Sequence, residues 1–227
     1  MLRRLALVTL ALALPALAAA QYDPRYPRQR PWGPPLVGPT ISGWVGFAAP
    51  TGSFDGFGAS RLSDVINHAV PFGVELAYRF SPLFRAGMYF EGAPLSVDSR
   101  ACDPGDPCDG STFQFGLDAQ LHFATYHSVD PWIGFGFGYE WLRVAATAGP
   151  VGAGFPETWH YDGWIFPRLS AGLDFMVSPT FTLGPYVSYS AGQFSSVHTA
   201  SDGVTSTIFQ QAYHGWFGLG LRGNFNL

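Results

Sequence analysis

The two cysteines of this 227-residue sequence, Cys102 and Cys108, are close enough in sequence to react with each other. The five residues between them form an Asp-Pro-Gly-Asp-Pro run, which favours a tight turn that brings the two sulfurs together. We interpret the pair as a loop disulfide formed in an oxidising compartment. A metal site that adds Asp103 and Asp106 is the alternative, although thiolate sites usually recruit further Cys or His ligands.

Nucleophilic catalysis would need a serine or a carboxylate beside a histidine. Two such groups lie in predicted loops: Ser195 and Ser196 with His198, and Glu157 with His160. Neither group has a recognisable motif, and a third run, 126–128, falls in a turn on the opposite side of the predicted fold. We therefore predict no catalytic residue, no cofactor and no metal, and keep a lipid-modifying enzyme as an alternative.

The predicted loops are acidic, and three of their aspartates lie close together in sequence. Asp103, Asp106 and Asp109 could hold Ca²⁺ together with backbone oxygens. A solvated acidic loop is the interpretation that we prefer, because such clusters usually face water.

The composition limits the class of protein. Charged residues make up only 12% of the chain, aromatic residues make up 16%, and all 12 basic residues are arginine. A mean hydropathy of +0.11 is too low for a bundle of membrane helices. The arginines are not clustered as in proteins that bind nucleic acid, so we expect no nucleic-acid partner.

The first 39 residues are predicted to lie outside the fold. Residues 1–20 combine two arginines, an apolar run of Leu, Ala and Val, and three alanines, which predicts a cleaved signal peptide. Residues 21–39 are rich in Pro and Arg and therefore favour an extended periplasmic arm. The arm is interpreted as a linker, with a peptide ligand for a partner as the alternative.

From residue 40 onward, apolar and polar side chains alternate with a period of two, which predicts β-strands. All six even-numbered residues of 70–80 are apolar or aromatic, and the odd-numbered residues are proline, small or charged. Residues 113–123 repeat this pattern with the odd positions apolar. Weaker alternation extends over 41–47, 84–91, 133–141, 168–177, 181–189 and 213–227. Eight strands of about 9–12 residues suit tilted strands that cross hydrocarbon.

The connections between these strands alternate between short and long. The predicted short turns are 81–82, 124–130 and 178–179, and the predicted long loops are 49–69, 92–111, 144–163 and 192–211. Short periplasmic turns and long extracellular loops are typical of transmembrane β-barrels. Within the first loop, 61–68 could form one or two helical turns.

The large apolar face is predicted to contact lipid, since the other face has too few charges for a soluble exterior. The charges of that second face would line a narrow lumen and pair with one another. The predicted lumen network is Glu75, Arg79, Arg85, Glu91, Asp118, His122, Glu140, Arg168, Asp174 and Arg222. Aromatic residues near the strand ends, Trp132 among them, are expected to form interfacial girdles.

The alternation, the loop asymmetry and the run 130–139 resemble the OmpA-like and OmpX-like eight-stranded outer-membrane barrels over residues 40–227. Barrels of this kind end on an aromatic residue that the assembly machinery reads. Phe225 fits that alternate position, whereas the last residue is Leu227. The resemblance implies membrane anchoring, adhesion, resistance to stress or passage of small solutes.

The fold class expected is all-β: an eight-stranded antiparallel up-and-down barrel in the bacterial outer membrane. The leading functional hypothesis is a non-enzymatic structural, surface-interaction or adhesion role through the extracellular loops. The alternatives are a narrow pore for small solutes and an enzyme that modifies lipid A. The expected partners are outer-membrane lipid and lipopolysaccharide, the outer-membrane assembly machinery and an extracellular ligand.

Overall fold

The computed structural model of the protein describes residues 37–56, 61–102, 108–125, 127–146, 157–200 and 205–227. Its strands are β1 (Gly38–Gly52), β2 (Ile66–Ala69), β3 (Phe72–Ser81), β4 (Phe84–Val97), β5 (Asp109–His122), β6 (Val129–Ala146), β7 (Glu157–Met176), β8 (Phe181–Thr199), β9 (Thr205–Thr207) and β10 (Tyr213–Asn226). A short helix, α1 (Leu62–Val65), precedes β2, and a 3-10 turn (Ser99–Ala101) follows β4.

Eight of these strands form a closed antiparallel ring. Each of β3, β4, β5, β6, β7 and β8 pairs with its sequence neighbours in the ring, and β10 pairs with both β8 and β1. β2 extends β3 at the long-loop end, and β9 pairs with β8 within the last loop. The predicted eight-stranded up-and-down barrel is therefore confirmed.

The side chains that face outward form an apolar belt around the ring. In β5, for example, Phe113, Phe115 and Leu117 are exposed, whereas the alternate residues Gln114 and Asp118 are buried. The same pattern holds in the other ring strands, so the larger apolar face lies outside. The described residues include no helix long and apolar enough to cross a membrane.

A bulge in β7 changes which residues face inward. Ile165 and Arg168 are separated by three residue steps, but their partners on β6 and β8 are separated by only two. The extra residue belongs to the Phe166–Pro167 pair, where proline cannot donate to the ladder. Odd-numbered residues consequently face inward before the bulge, and even-numbered residues face inward after it.

Several strands continue beyond the predicted limits at the long-loop end. β6 reaches Ala146 and β7 begins at Glu157, so the described residues of the loop predicted over 144–163 are all strand. In this region, the interior holds a cluster of buried apolar side chains that we call the outer cluster. Its members include Phe54, Leu62, Ile66, Leu142, Trp159, Phe194 and Ile208. The described parts of the first and last loops therefore pack into the mouth of the barrel.

Other predictions differ from the structure in detail. Trp132 was expected in an interfacial girdle, but it is 2% exposed and lies inside the barrel. The helical turns predicted over 61–68 are confined to α1, since β2 begins at Ile66. β1 begins at Gly38, two residues inside the predicted arm. The predicted signal peptide and residues 21–36 lie outside the described residues.

The first expected outcome concerns the belt. Replacing Leu117, which lies outward in the middle of β5, with Arg should lower the free energy of unfolding by about 2–4 kcal/mol, because the charge enters hydrocarbon. The matched control Tyr213→Arg, at the outer end of β10, should cost about 0–1 kcal/mol. Urea unfolding in lipid vesicles measures both. Equal losses of unfolding free energy in the two variants would contradict a membrane that covers the middle of β5 but not the outer end of β10.

Candidate functional site

The ten residues predicted to form a lumen network all lie on inward positions of the ring strands. Nine of them are buried, and Glu91 is partly buried. The pleat of the strands directs these side chains into the lumen, and in β7 the bulge sets the phase that turns Arg168 and Asp174 inward. Their contacts fall into four groups along the barrel axis.

The central group is built around the carboxylate of Glu75. Arg222 donates to its Oε2 at 2.5 Å, Gln120 donates at 3.1 Å and Arg85 at 3.5 Å. Arg85 also donates to Gln120 at 2.7 Å and to Asn224 at 3.2 Å. One buried acid thus lies between two buried guanidinium groups, an arrangement whose stability depends on all three being present.

A second group lies above the first. Arg168 forms an ion pair with Glu91, with Nη2 and Oε2 2.8 Å apart, and Trp44 donates to the same oxygen at 2.7 Å. The guanidinium of Arg168 also lies 4.3 Å from the ring centre of Tyr89. Such a cation over an aromatic ring gains further electrostatic stabilisation.

The uppermost group surrounds Glu140. His214 Nε2 and Trp216 Nε1 each lie 2.8 Å from its carboxylate, and Thr112 donates at 2.8 Å. The ring of His214 stacks on Phe194 of the outer cluster, with centres 3.8 Å apart. Glu140 therefore marks the boundary between the polar lumen and the apolar outer cluster.

The lowest group lies near the short turns. His122 Nδ1 is 2.9 Å from Asp130, and Arg79 lies 3.3 Å from the other ring nitrogen of His122. Asp174 accepts a hydrogen bond from Trp132 Nε1 at 3.1 Å. Asp130 and Trp132 were not in the predicted network, although both continue the even-numbered inward face of β6.

The space left between these groups is small. A cavity of about 20 Å³ lies between the central and second groups, lined by Tyr89, Asp118, Trp132 and Arg222 among others. That volume suits about one water molecule. A second, about 10 Å³, lies near Arg79 and Asp174. The two cavities are too small for a solute.

Within the described part of the last long loop, neither Ser195 nor Ser196 is hydrogen-bonded to a histidine. Ser196 donates to Asp162 at 2.8 Å, and Ser195 donates to the backbone oxygen of Asp162. His198 instead lies 3.1 Å from the hydroxyl of Thr205. The side chain of Glu157 lies outside the described part of the chain, as does Tyr126 of the run 126–128.

The second long loop carries the two cysteines. Cys102 and Cys108 have Cα atoms 5.9 Å apart and lie in bonding geometry, which suits the predicted disulfide. Asp98 caps the preceding 3-10 turn, and hydrogen bonds from the side chain and backbone of Arg100 lower its pKa to about 2. Asp103 and Asp106 lie outside the described residues, and Asp109 forms an ion pair with Arg143.

The end of β10 carries the predicted assembly signal. Phe225 pairs with Ile41 of β1, and its ring lies 4.5 Å from that of Phe181. Leu227 is exposed, and its backbone N–H bonds to Pro39. Both side chains lie on the outside, where another protein can contact them, and recognition by the assembly machinery stays a prediction.

A second expected outcome concerns the central group. Glu75→Ala should lower the free energy of unfolding by about 3–5 kcal/mol, because Arg85 and Arg222 lose their shared carboxylate inside the lumen. Asp109→Ala removes an exposed partner of Arg143 and should cost at most about 1 kcal/mol. Urea unfolding of both variants in vesicles provides the comparison, and a cost below 1 kcal/mol for Glu75→Ala would show that the central group does not stabilise the barrel.

No family model and no curated protein sequence matches this chain. Among solved structures, Neisserial surface protein A matches at 14% identity over 82% of this chain and 96% of its own, with a TM-score of 0.47. OprG of Pseudomonas aeruginosa matches at 12% identity over 84% and 97%, with a TM-score of 0.48. The Escherichia coli protease OmpT matches at 10% identity over 83% and 97%, with a TM-score of 0.43.

These likenesses are too distant to carry function from one protein to another. The membrane location instead rests on two features of the fold. The closed ring leaves no strand edge with unpaired backbone groups in the hydrocarbon, and the apolar belt around it can contact lipid. The chain thus has the eight-stranded β-barrel fold of small outer-membrane proteins, with an apolar belt suited to a membrane.

Proposed function

We propose that this protein is a non-enzymatic, closed barrel that presents its extracellular loops and rim for contact with molecules outside the cell. The observation that carries the proposal is the filled interior, in which four polar groups and the outer cluster follow one another along the axis. A barrel that is closed in this way has its accessible surface at its ends and loops.

The interior is closed by two different kinds of contact. Arg168 and Glu91 form an ion pair from β7 to β4, and Glu140 links β6 to β10 through His214 and Trp216. Above them, the outer cluster excludes water by apolar packing. A solute would have to break buried hydrogen bonds and also open an apolar core, each of which is unfavourable.

The long-loop end also carries an exposed apolar side chain. Phe209 follows the buried Ile208 and is 92% exposed, which is the largest exposed fraction among the large apolar side chains of the described residues. Aromatic side chains, Phe among them, are enriched at protein interfaces relative to the rest of the surface. We expect an extracellular ligand to contact this side chain, while lipid and lipopolysaccharide contact the belt.

Conductance measurements test the closed interior. Pure protein in planar lipid bilayers should give no steady open-channel current. The double variant Glu91→Ala with Arg168→Ala should also remain silent, because the outer cluster still closes the barrel above the missing ion pair. Steady channels from the unsubstituted protein would overturn the closed-barrel proposal in favour of a pore.

An attachment assay tests the surface role. Bacteria that produce the protein should bind immobilised extracellular-matrix protein better than cells without it, and Phe209→Ala should reduce the difference. Val177→Ala is the matched control, since Val177 is also exposed but lies at the short-turn end. Heat-modifiable gel mobility checks that each variant is folded. Equal attachment with and without the protein would contradict the proposal.

A further inference from the structure

Two histidines lie side by side on the outer surface of the barrel, at the end that carries the long loops. His160 of β7 and His198 of β8 are register partners, and their ring centres are 6.1 Å apart. Both face outward, beyond the exposed Trp164 that marks the edge of the apolar belt. We propose that His160 and His198 together bind one divalent transition-metal ion, such as Zn²⁺, Ni²⁺ or Cu²⁺.

The separation of the rings suits two ligands of one ion. A metal–nitrogen distance of about 2.0–2.1 Å puts each ring centre roughly 3 Å from the ion, so tetrahedral geometry needs ring centres about 5 Å apart. The observed separation is about 1 Å larger, which small rotations of the exposed His160 and the half-buried His198 can remove. The antiparallel ladder holds the two backbones, so little conformational freedom remains to be lost on binding.

Among the described residues, the hydrogen bonding of the two histidines leaves ring nitrogens without a partner. Thr205 lies 3.1 Å from His198 Nδ1, an interaction that orients the ring and directs Nε2 away from β9. The neutral imidazole is the form that coordinates metal, and Nε2 of His198 points away from its hydrogen-bond partner.

The positive charge nearest to the two histidines, that of Arg143, is paired with a carboxylate and therefore repels a bound metal ion only weakly. Arg143 is the register partner of His160 on β6, but its guanidinium is bonded to Asp109 of β5, 2.5 Å away, on the side opposite β8. Asp162, two residues nearer the belt, accepts hydrogen bonds from Tyr139 and Ser196 and adds negative charge. The charge around the two imidazoles is therefore close to balanced.

The donor set defines the class of ion. Imidazole nitrogen suits Zn²⁺, Cu²⁺ and Ni²⁺, whereas Ca²⁺ and Mg²⁺ require oxygen ligands. Within the described ranges, no group of three or more His, Cys, Asp and Glu side chains is placed to hold a metal. Two protein ligands and solvent would therefore bind an exchangeable ion at the surface.

Calorimetry with ZnCl₂ on untagged, refolded protein in detergent tests the site. We expect one Zn²⁺ per barrel, and a loss of affinity of about tenfold or more in His160→Asn and in His198→Asn, since even outer-shell partners commonly contribute roughly 10–100-fold. The double variant should bind Zn²⁺ about as weakly as each single variant, because the one imidazole that a single variant keeps cannot chelate the ion.

His68→Asn is the matched control, since His68 is an exposed histidine of β2 near the same end, outside this pair. It should bind Zn²⁺ as tightly as the unsubstituted protein, and unchanged heat-modifiable mobility should show that all variants fold. The proposal is overturned if the unsubstituted protein binds no Zn²⁺, or if His68→Asn weakens binding as much as the paired variants do.

Discussion

The pairing of β1 with β10 is the constraint on which the rest of the structure depends. It joins the two edges that would otherwise expose unpaired backbone groups to hydrocarbon, where no water can satisfy them. The seam is tight: Gly46 and Gly220 are register partners, and a Cβ on Gly46 would lie 2.3 Å from the oxygen of Leu219. A ring of eight strands encloses little space, so every inward side chain must fit against those opposite.

The alternation predicts all eight ring strands because one face must contact lipid and the other must not. It predicts the outer parts of β6, β7 and β8 poorly for two physical reasons. The bulge at Phe166–Pro167 changes the phase of β7, so a single period cannot follow the strand from Glu157 to Met176. Beyond Glu140, the strand leaves the membrane and the polarity of its two faces changes.

The lumen residues could be predicted as a set, but their partners could not. Inward position follows from the period of two, whereas contact across the barrel depends on tilt and stagger, which alternation does not encode. Glu140 bonds to His214, 74 residues later in the chain. Trp132 was misplaced because an aromatic residue near a strand end resembles a girdle residue, although its even number matches the inward face of β6.

Near Glu140, the apolar face of the sheet changes from the outside of the barrel to the inside. The reason is that the strands pass from lipid into water at this height. Within the membrane, the outside must be apolar, and the polar residues pair inside. Above the membrane, water covers the outside, so Leu142 and Trp159 pack inside while Arg143 and His160 face outward. The apolar interior of the upper barrel is therefore a consequence of its height above the lipid, and the same inversion puts the histidine pair on a surface that ions can reach.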